Sequence, residues 1–150
     1  MKVALFGATG FVGSYIVDEL ISQSMEANLM VREGSENKLL QKEKCRIIKG
    51  DIDDEISINE TLDGCGAVIY AIGIIREFPN RGITYENLHF NGAKRCIDAA
   101  KEKGINRFIL MSANGAKMNG TSYQSTKYNS EKYLKFADLD YTIFRPSLIF

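Results

Sequence analysis

The stretch Val3-Ala-Leu-Phe-Gly-Ala-Thr-Gly-Phe-Val-Gly13 decides the fold of this 150-residue chain. Its apolar beginning predicts a short buried strand, because continuous apolar runs of this length are typical of strands covered on both faces. Apolar residues then recur every fourth position at Val12, Ile16 and Leu20, which predicts one face of a helix. The stretch is therefore a strand that turns directly into a helix.

Three glycines stand at this turn, and each has a separate expected role. Gly7 allows the tight turn, Gly10 lets the backbone approach a pyrophosphate, and Gly13 lets the helix lie close to the sheet. The free N–H groups and the positive end of the helix dipole favour a bound anion. The simpler interpretation is a glycine-rich turn that binds nothing, but the flanking strand and helix favour binding. No Gly-Lys-Ser/Thr follows, which disfavours the phosphate loop of ATPases and GTPases.

The composition is ordinary for one globular domain, with 45% hydrophobic and 25% charged residues. Lysine plus arginine and aspartate plus glutamate both number 19, so the net charge is zero. This balance gives no support for a nucleic-acid partner or for binding to an anionic membrane. No apolar run approaches the roughly 20 residues that a membrane helix needs, so no integral membrane segment is expected.

Cysteine and histidine usage favours a reducing compartment and argues against a metal site. Cys45, Cys65 and Cys96 are odd in number and form no CxxC pair, so we expect reduced thiols in a cytoplasmic protein. The first strand follows Met1 almost at once, so no signal peptide is expected. His89 is the only histidine, which excludes a multi-histidine metal site.

Apolar runs and helical patterns alternate along the rest of the chain. Further strands are predicted at 28–31, 46–49, 67–73, 107–111 and 141–144. Helices are predicted at 39–43, from near 55, at 84–103 with Gly104 after the end, and at 121–137. This alternation predicts an α/β protein with a Rossmann-like, doubly wound parallel sheet of about six strands, in three layers. We place no domain boundary within residues 1–150, and the open edge of such a sheet favours a homodimer.

The end of the second strand bears on which dinucleotide the chain binds. A carboxylate at this place accepts from the adenosine ribose and selects NAD, whereas an arginine accommodates the 2′-phosphate of NADP. Arg32 stands there, with Glu33 next to it and Lys38 further along the loop. We therefore expect NADP as the preferred cofactor, with Arg32 and Lys38 on the phosphate. Two alternatives stay open: Arg32 is a solvated surface residue, or Glu33 turns inward and the cofactor is NAD.

Polar and small residues follow the third and fourth strands. Asp51 can accept a hydrogen bond from the amine of an adenine, and Ile52 can pack on its ring. The alternative is that Asp51 or Asp53 caps the helix that starts near Glu55. Ala71-Ile-Gly73 is a small-residue turn that leaves room for a ribose of the cofactor.

The second informative motif is Tyr123-Gln-Ser-Thr-Lys127. Residues four apart lie on one face of a helix, so the two side chains are expected to be neighbours. A lysine ammonium beside a phenol lowers the tyrosine pKa, and such a tyrosine can exchange a proton with a carbonyl or alcohol oxygen. The lysine can also hold the hydroxyls of the nicotinamide ribose. Since the helix follows the fifth strand, its first turns are expected at the carboxyl edge of the sheet.

Taken together, these motifs resemble those of the short-chain dehydrogenase/reductase superfamily over the whole chain. They are Gly7-x-x-Gly10-x-x-Gly13, Asp51-Ile52, Ala71-Ile-Gly73, Tyr123-x-x-x-Lys127 and Arg145-Pro146-Ser147. The glycine spacing is similar to that of the extended and atypical branches, which include NAD-dependent epimerase/dehydratase-like and NmrA-like proteins. Relatives of the nucleotide-binding accessory subunit of respiratory complex I are most similar, through His89-x-x-Gly92-Ala93, Met111-Ser112-Ala113 and Arg145-Pro-Ser-Leu-Ile-Phe150.

The resemblance implies a nicotinamide dinucleotide as cofactor, an unidentified small-molecule substrate, and Tyr123 as catalytic acid/base. It implies a cofactor site made of Gly7, Thr9, Gly10, Phe11, Val12, Arg32, Asp51, Ile52, Ala71, Ile72, Gly73 and Lys127. The usual catalytic serine or threonine would fall just after Ser112, which is the nearest candidate. Asparagine is usual where His89 stands, and His89 is expected to replace its structural hydrogen bond.

Two functions stay open at this point. The first is an NADP-preferring oxidoreductase or epimerase-like enzyme, in which the nicotinamide exchanges hydride with a substrate carbon while Tyr123 moves the proton. The second is an NAD(P)-binding module without turnover, used as a redox sensor or complex-assembly subunit. Tyr123 and Lys127 favour the first function, and the missing serine position favours the second. Such proteins normally continue into a substrate-binding lobe, which this chain is expected to lack.

Overall fold

The computed structural model describes residues 1–39 and 44–149. Its strands are β1 (Lys2–Phe6), β2 (Glu26–Val31), β3 (Arg46–Lys49), β4 (Ala67–Tyr70), β5 (Arg107–Met111) and β6 (Asp140–Phe144). Its α-helices are α1 (Phe11–Ser22), α2 (Glu55–Thr61), α3 (Gly92–Glu102) and α4 (Ser122–Lys135). Short 3-10 turns lie at Glu36–Lys38 and Pro79–Arg81, and a π-helical segment, Glu86–Asn91, leads into α3.

The described strands form one parallel sheet in the order β3-β2-β1-β4-β5-β6. From β1 the chain moves outward to β2 and β3, then returns to the other side of β1 at β4. Right-handed connections in opposite directions place their helices on opposite faces of the sheet. A crevice therefore opens between the carboxyl ends of β1 and β4. This topology confirms the predicted doubly wound, Rossmann-like α/β fold.

Strand β1 is covered on both faces, which explains its continuous apolar sequence. Leu5 faces α1 and joins Val17 in one apolar cluster. Phe6 faces the other side and joins Ile97 of α3 and Leu134 of α4 in a second cluster. Both strand side chains are completely buried. The predicted three layers are thus present, with β1 in the middle layer.

The helix predicted between β4 and β5 is interrupted by the π-helical segment. The hydroxyl of Tyr70, on β4, donates to the carbonyl oxygen of Leu88 over 2.6 Å. The N–H of Gly92 bonds to the carbonyl of Asn87, five residues back, instead of to Leu88, four residues back. A Cβ at Gly92 would overlap the Tyr70 hydroxyl, so this position requires glycine. A buried side chain from another element thus competes for an acceptor that an α-helix would use, which helical periodicity cannot reveal.

Other boundaries differ from the sequence prediction by a few residues. Strand β4 ends at Tyr70 instead of Gly73, because its partner β1 turns away, and the bond from Ala71 N–H to Phe6 O is the last one between them. The helix predicted at 39–43 lies, beyond Leu39, outside the described residues. Among the helices of residues 1–39 and 44–149, none has the length and apolar character needed to span a bilayer.

Helix α1 begins very close to the end of β1, and two glycines make this approach possible. A Cβ at Gly13 would overlap the carbonyl oxygen of Gly7 and lie 2.8 Å from its carbonyl carbon. Gly7 itself has a φ of +100°, and a Cβ there would lie 2.9 Å from the backbone of Ala71. A Cβ at Gly10, by contrast, would meet only the Gly7 oxygen, at 3.4 Å. Packing within the turn therefore requires glycine at positions 7 and 13 but not at position 10.

We expect Gly13→Ala to lower the free energy of unfolding by about 2–3 kcal/mol, because the added methyl group meets backbone atoms that cannot move independently. Gly10→Ala is the matched control, and we expect it to cost less than about 1 kcal/mol at this N-cap position. Urea unfolding of both variants measures the difference. Equal stability of the two variants would show that the close approach of α1 does not depend on Gly13.

Candidate functional site

The crevice lies at the carboxyl edge of the sheet, where β1, β2, β3 and β4 end. The side chains and backbone that line it come from four strand ends and from the π-helical segment. They are Gly7, Thr9, Gly10, Met30, Arg32, Gly50, Asp51, Ile52, Ala71, Ile72, Gly73, Ile74 and Leu88. Most of the residues that the sequence nominated for the cofactor therefore line one continuous surface.

The floor of the crevice is the N-terminus of α1. Gly10 is the N-cap residue, and neither a side-chain cap nor an acidic residue in the first turn neutralises the helix end. The space in which a Cβ of Gly10 would lie is open apart from the Gly7 oxygen. This turn therefore presents backbone N–H groups and a positive dipole end to an open cradle, which suits a pyrophosphate.

Two nominated residues of the same turn stand apart from the crevice lining. Phe11 is 56% exposed, and its ring packs edge-on against Tyr15 with centroids 5.4 Å apart. Val12 is partly buried in the first turn of α1. What these two residues offer a ligand is their backbone at the helix end, and their side chains do not line the crevice.

At the end of β2, an arginine faces the crevice. Arg32 lines it and is solvent-exposed, whereas Glu33 and Lys38, also described and exposed, are not among the lining residues. Glu36, in the same loop, pairs with Lys49 at 3.0 Å. Among residues 1–39 and 44–149, Arg32 therefore supplies the positive charge of the crevice lining at this end.

The end of β3 supplies a carboxylate and an apolar side chain. Asp51 accepts a hydrogen bond from the Ile52 N–H over 2.7 Å, and both residues line the crevice. Asp54 caps α2, because its carboxylate accepts from the N–H groups of Ile56 and Ser57. The alternative that Asp51 or Asp53 caps this helix is thus wrong.

Asp53 has a different contact. Its carboxylate pairs with Arg95 of α3 at 2.8 Å and accepts from the side chain of Asn87. The aspartates of this loop therefore have separate roles: Asp54 caps the N-terminus of α2, Asp53 binds Arg95 of α3, and Asp51 lines the crevice.

Four lining residues were missed by sequence reasoning. They are Met30, Gly50, Ile74 and Leu88. Gly50 directly follows β3, and Ile74 directly follows the nominated Gly73, so including one more residue at each of these places would have found them. Leu88 had no signal, because it reaches the crevice from the π-helical segment that Tyr70 holds in place.

Lys127 lies in the protein interior behind the end of β4. It is 3% exposed, and its ammonium donates to the carbonyl oxygen of Met111 over 2.9 Å. A Cβ at Gly73 would lie 3.6 Å from that ammonium, so the lysine and the fourth strand end are direct neighbours. Burial lowers the pKa of Lys127 to about 8, although the nearby Glu131 acts in the opposite direction.

The expected effect of Lys127 on Tyr123 is absent. Burial raises the pKa of Tyr123, the phenol of Tyr85 raises it further, and Lys127 contributes no lowering. The physical reason is that the lysine ammonium is directed to the Met111 carbonyl. The prediction of a Tyr123 pKa lowered by Lys127 is therefore wrong, and Tyr123 holds its proton at neutral pH.

Ser112 is buried and already engaged. Its hydroxyl donates to Glu131 of α4 over 2.5 Å, and the guanidinium of Arg145 pairs with the same carboxylate. Burial alone would raise the pKa of Glu131, but the hydrogen bonds from Arg145 and Ser112 lower it overall. This arrangement gives Ser112 a structural contact, and its catalytic role stays a prediction.

A doubly wound parallel sheet with a glycine-lined crevice at its switch point defines a dinucleotide-binding protein. The chain belongs to the NAD(P)H-binding family, whose model matches residues 7–149. The expected membership in the extended branch of the short-chain dehydrogenase/reductase superfamily is confirmed. A nicotinamide dinucleotide is therefore the class of cofactor that the fold binds.

Curated relatives come from several contexts. The mitochondrial NADH-ubiquinone oxidoreductase 40 kDa subunit of Neurospora crassa is 30% identical over 119 residues, which covers 77% of this chain and 31% of that protein. Photosystem II assembly factor Ycf39 of Cyanophora paradoxa is 30% identical over 146 residues, covering 97% of this chain and 44% of that protein. The chain thus spans less than half the length of these relatives.

Solved structures show the same fold. A putative NAD-dependent epimerase/dehydratase from Bacillus halodurans superposes with a TM-score of 0.83 at 29% identity, covering 98% of this chain and 70% of that one. The Bordetella bronchiseptica enzyme WbmH, in complex with NAD+, superposes with a TM-score of 0.82 at 20% identity, covering 96% and 55% of the two chains. At 20% identity, the match to WbmH shows only that the two chains share the fold.

We expect Lys127→Met to raise the free energy of unfolding by roughly 2 kcal/mol at about pH 7, because it removes a buried charge and loses one hydrogen bond. The pKa of Lys127 is about 8 in the folded chain against the ordinary lysine value of 10.5, so the unfolded chain binds the proton more tightly. The loss of stability caused by the buried Lys127 charge is complete below about pH 8 and disappears as the pH rises toward 10.5.

Urea unfolding at about pH 7 and about pH 10 tests this pH dependence. The excess in the free energy of unfolding of Lys127→Met over wild type should be smaller at the higher pH. Lys132→Met, on the exposed face of the same helix, is the control and should show no such trend. If Lys127→Met is less stable than wild type by the same amount at both pH values, the claim that Lys127 is a destabilising buried charge is wrong.

Proposed function

We propose that this chain is an NADP-preferring oxidoreductase or epimerase-like protein that holds its cofactor in the crevice. The observation that carries the proposal is the open cradle at Gly10, at an uncapped helix end. When the dinucleotide is bound in the crevice, its nicotinamide would supply hydride chemistry. The first turn of α1 would hold the pyrophosphate, and the residues at the carboxyl edge of the sheet would hold the rest of the cofactor.

The preference for NADP rests on the charge at the end of β2. A guanidinium can form two parallel hydrogen bonds to a phosphate, and Arg32 lines the crevice where the adenosine ribose is expected. Glu33 is the carboxylate that would select NAD, and it is not among the residues that line the crevice. Asp51 and Ile52 then suit the adenine amine and ring, respectively, at the end of β3.

The proton-transfer pair is proposed to be Tyr123 and Lys127. Because its pKa is raised, Tyr123 carries a proton at neutral pH, which suits donation to the oxygen of a substrate carbonyl. Lys127 lies beside Gly73, at the strand end where the second ribose is expected, and its ammonium can turn from the Met111 carbonyl to ribose hydroxyls. Ser112 would polarise the substrate oxygen only after releasing Glu131.

The second candidate function is an NAD(P)-binding module without turnover. The engagement of Ser112 with Glu131 favours it, because the hydroxyl that would polarise a substrate oxygen is already bonded within the protein. Two matched relatives carry names of a respiratory-complex subunit and a photosystem assembly factor, which is the setting of such modules. Measured turnover separates the two candidates.

The remaining features of the proposal concern the whole chain. Residues 1–150 would form a single dinucleotide-binding domain, and its substrate would be an unidentified small molecule. The open edge at β6 is compatible with a homodimer. Cys65 and Cys96 form no disulfide, which suits the proposed cytoplasmic setting.

We expect Arg32→Ala to weaken NADPH binding about 10- to 100-fold and to leave NADH binding nearly unchanged, because only NADPH carries the phosphate that the guanidinium contacts. Gly10→Ala is the matched comparison and should weaken both dinucleotides, since its methyl group enters the shared pyrophosphate cradle. Fluorescence titration measures all four affinities. Equal losses for the two dinucleotides with Arg32→Ala would overturn the NADP assignment.

We expect Tyr123→Phe to reduce the rate of NADPH oxidation with carbonyl substrates at least about 100-fold while NADPH affinity stays within about threefold, because the variant loses only the proton donor. A panel of aldehydes and ketones provides the substrates, and Tyr128→Phe on the same helix is the control. If the wild-type chain binds NADPH tightly but shows no tyrosine-dependent turnover, the module without turnover is the correct function.

A further inference from the structure

The imidazole of His89 joins two parts of the site that are distant in sequence. It is 1% exposed, and its Nε2 accepts the N–H of Ile74, a residue of the crevice wall, over 3.1 Å. Its Nδ1 lies 3.3 Å from the hydroxyl of Thr126 on α4. The ring therefore bridges the loop after β4 and the helix that carries Tyr123 and Lys127.

The hydrogen-bond partners fix the tautomer of this ring. Nε2 accepts from a backbone N–H, so it carries no proton. The hydroxyl of Thr126 can give its own proton to the carbonyl of Ser122 at 2.8 Å, which leaves its oxygen free to accept from an Nδ1–H. His89 is thus a neutral imidazole protonated on Nδ1, and both nitrogens are used. Burial and the ammonium of Lys127 lower its pKa to about 3, in agreement with this state.

The ring also contacts two tyrosines. Tyr85 stacks on it with centroids 5.2 Å apart, and Tyr123 meets it edge-on at 5.1 Å. Tyr85 and Tyr123 meet each other edge-on at 5.5 Å. Three aromatic rings thus form one packed unit, and a shift of the His89 ring would move the phenol of Tyr123.

The backbone that carries His89 is itself held in place. The Tyr70 hydroxyl bonds to the carbonyl of the preceding residue, Leu88, and the π-helical geometry of Glu86–Asn91 follows from the same contact. Leu88 lines the crevice on one side while His89 is directed to Ile74 and α4.

We infer that His89 is a positioning residue: as a neutral Nδ1–H imidazole, it sets the crevice wall at Ile74 relative to Tyr123 on α4. Its effect on cofactor binding rests on the proposed function, whereas its tautomer and its link between the two elements do not. Because both ring nitrogens are bonded within the protein, His89 transfers no proton in the reaction.

The first test is nitrogen NMR on the protein without cofactor, where the single histidine gives one unambiguous imidazole. We expect a proton on Nδ1, none on Nε2, and no protonation of the ring between about pH 8 and about pH 5. A proton on Nε2, or a titration near the ordinary histidine value of about 6.5, would overturn the inference.

The second test compares His89→Phe with His89→Gln. Phenylalanine keeps the ring contacts but leaves the Ile74 N–H without its acceptor, so we expect at least about tenfold faster hydrogen exchange at that N–H and about tenfold weaker NADPH binding. Glutamine offers one acceptor and one donor, and it should restore most of both properties. Thr61→Val, which removes a buried hydrogen bond within α2, should change neither.

The outcomes separate this inference from the proposed function. If the wild-type chain binds neither NADPH nor NADH, the proposed function fails, and the tautomer and the exchange at Ile74 still decide the role of His89. If Thr61→Val weakens binding as much as His89→Phe does, His89 acts only through global stability and the inference is wrong. Unchanged exchange at Ile74 in His89→Phe would overturn it as well.

Discussion

The contact between the first turn of α1 and the end of β1 is the constraint on which the rest of the site depends. Gly13 lies so close to Gly7 that a methyl group between them would overlap backbone atoms. This closeness fixes the helix end at the carboxyl edge of the sheet, directly beside the crevice. Because the N-cap residue Gly10 has no side chain to cap the helix and has few neighbours, the positive helix end is available to a ligand instead of being neutralised by the protein.

The other half of the site depends on buried side chains that reach between elements. Tyr70 draws the Leu88 carbonyl out of the α-helical pattern and thereby brings Leu88 to the crevice. Lys127 reaches from α4 to the strand edge and bonds to Met111. Each contact has a local cost in free energy, which comes either from a lost helical hydrogen bond or from the burial of a charge. Each contact also places a group at the same edge of the sheet.

Glu131 distinguishes the two candidate functions. This buried carboxylate binds Arg145 and Ser112 at once, so it joins the start of the last described loop to the end of β5. A serine held in this way contributes to the packing of the edge, and the proposed enzyme must draw on Tyr123 and Lys127 for most of its chemistry. The module without turnover needs only the crevice, which is formed by different residues.

The sequence by itself determined the parallel α/β sheet, the glycine turn and the strand-end residues Arg32, Asp51 and Gly73, because apolar periodicity and glycine spacing are local properties of the chain. Only the tertiary structure decided the π-helical segment, the place of Leu88 and the pKa direction of Tyr123. Those features arise from side chains that meet across elements, such as Tyr70 with Leu88 and Tyr85 with Tyr123. The spacing of residues along one helix carries no information about such partners. The sequence therefore predicted that Lys127 lies near Tyr123 on the helix, but it could not predict the hydrogen bond from Lys127 to the Met111 carbonyl.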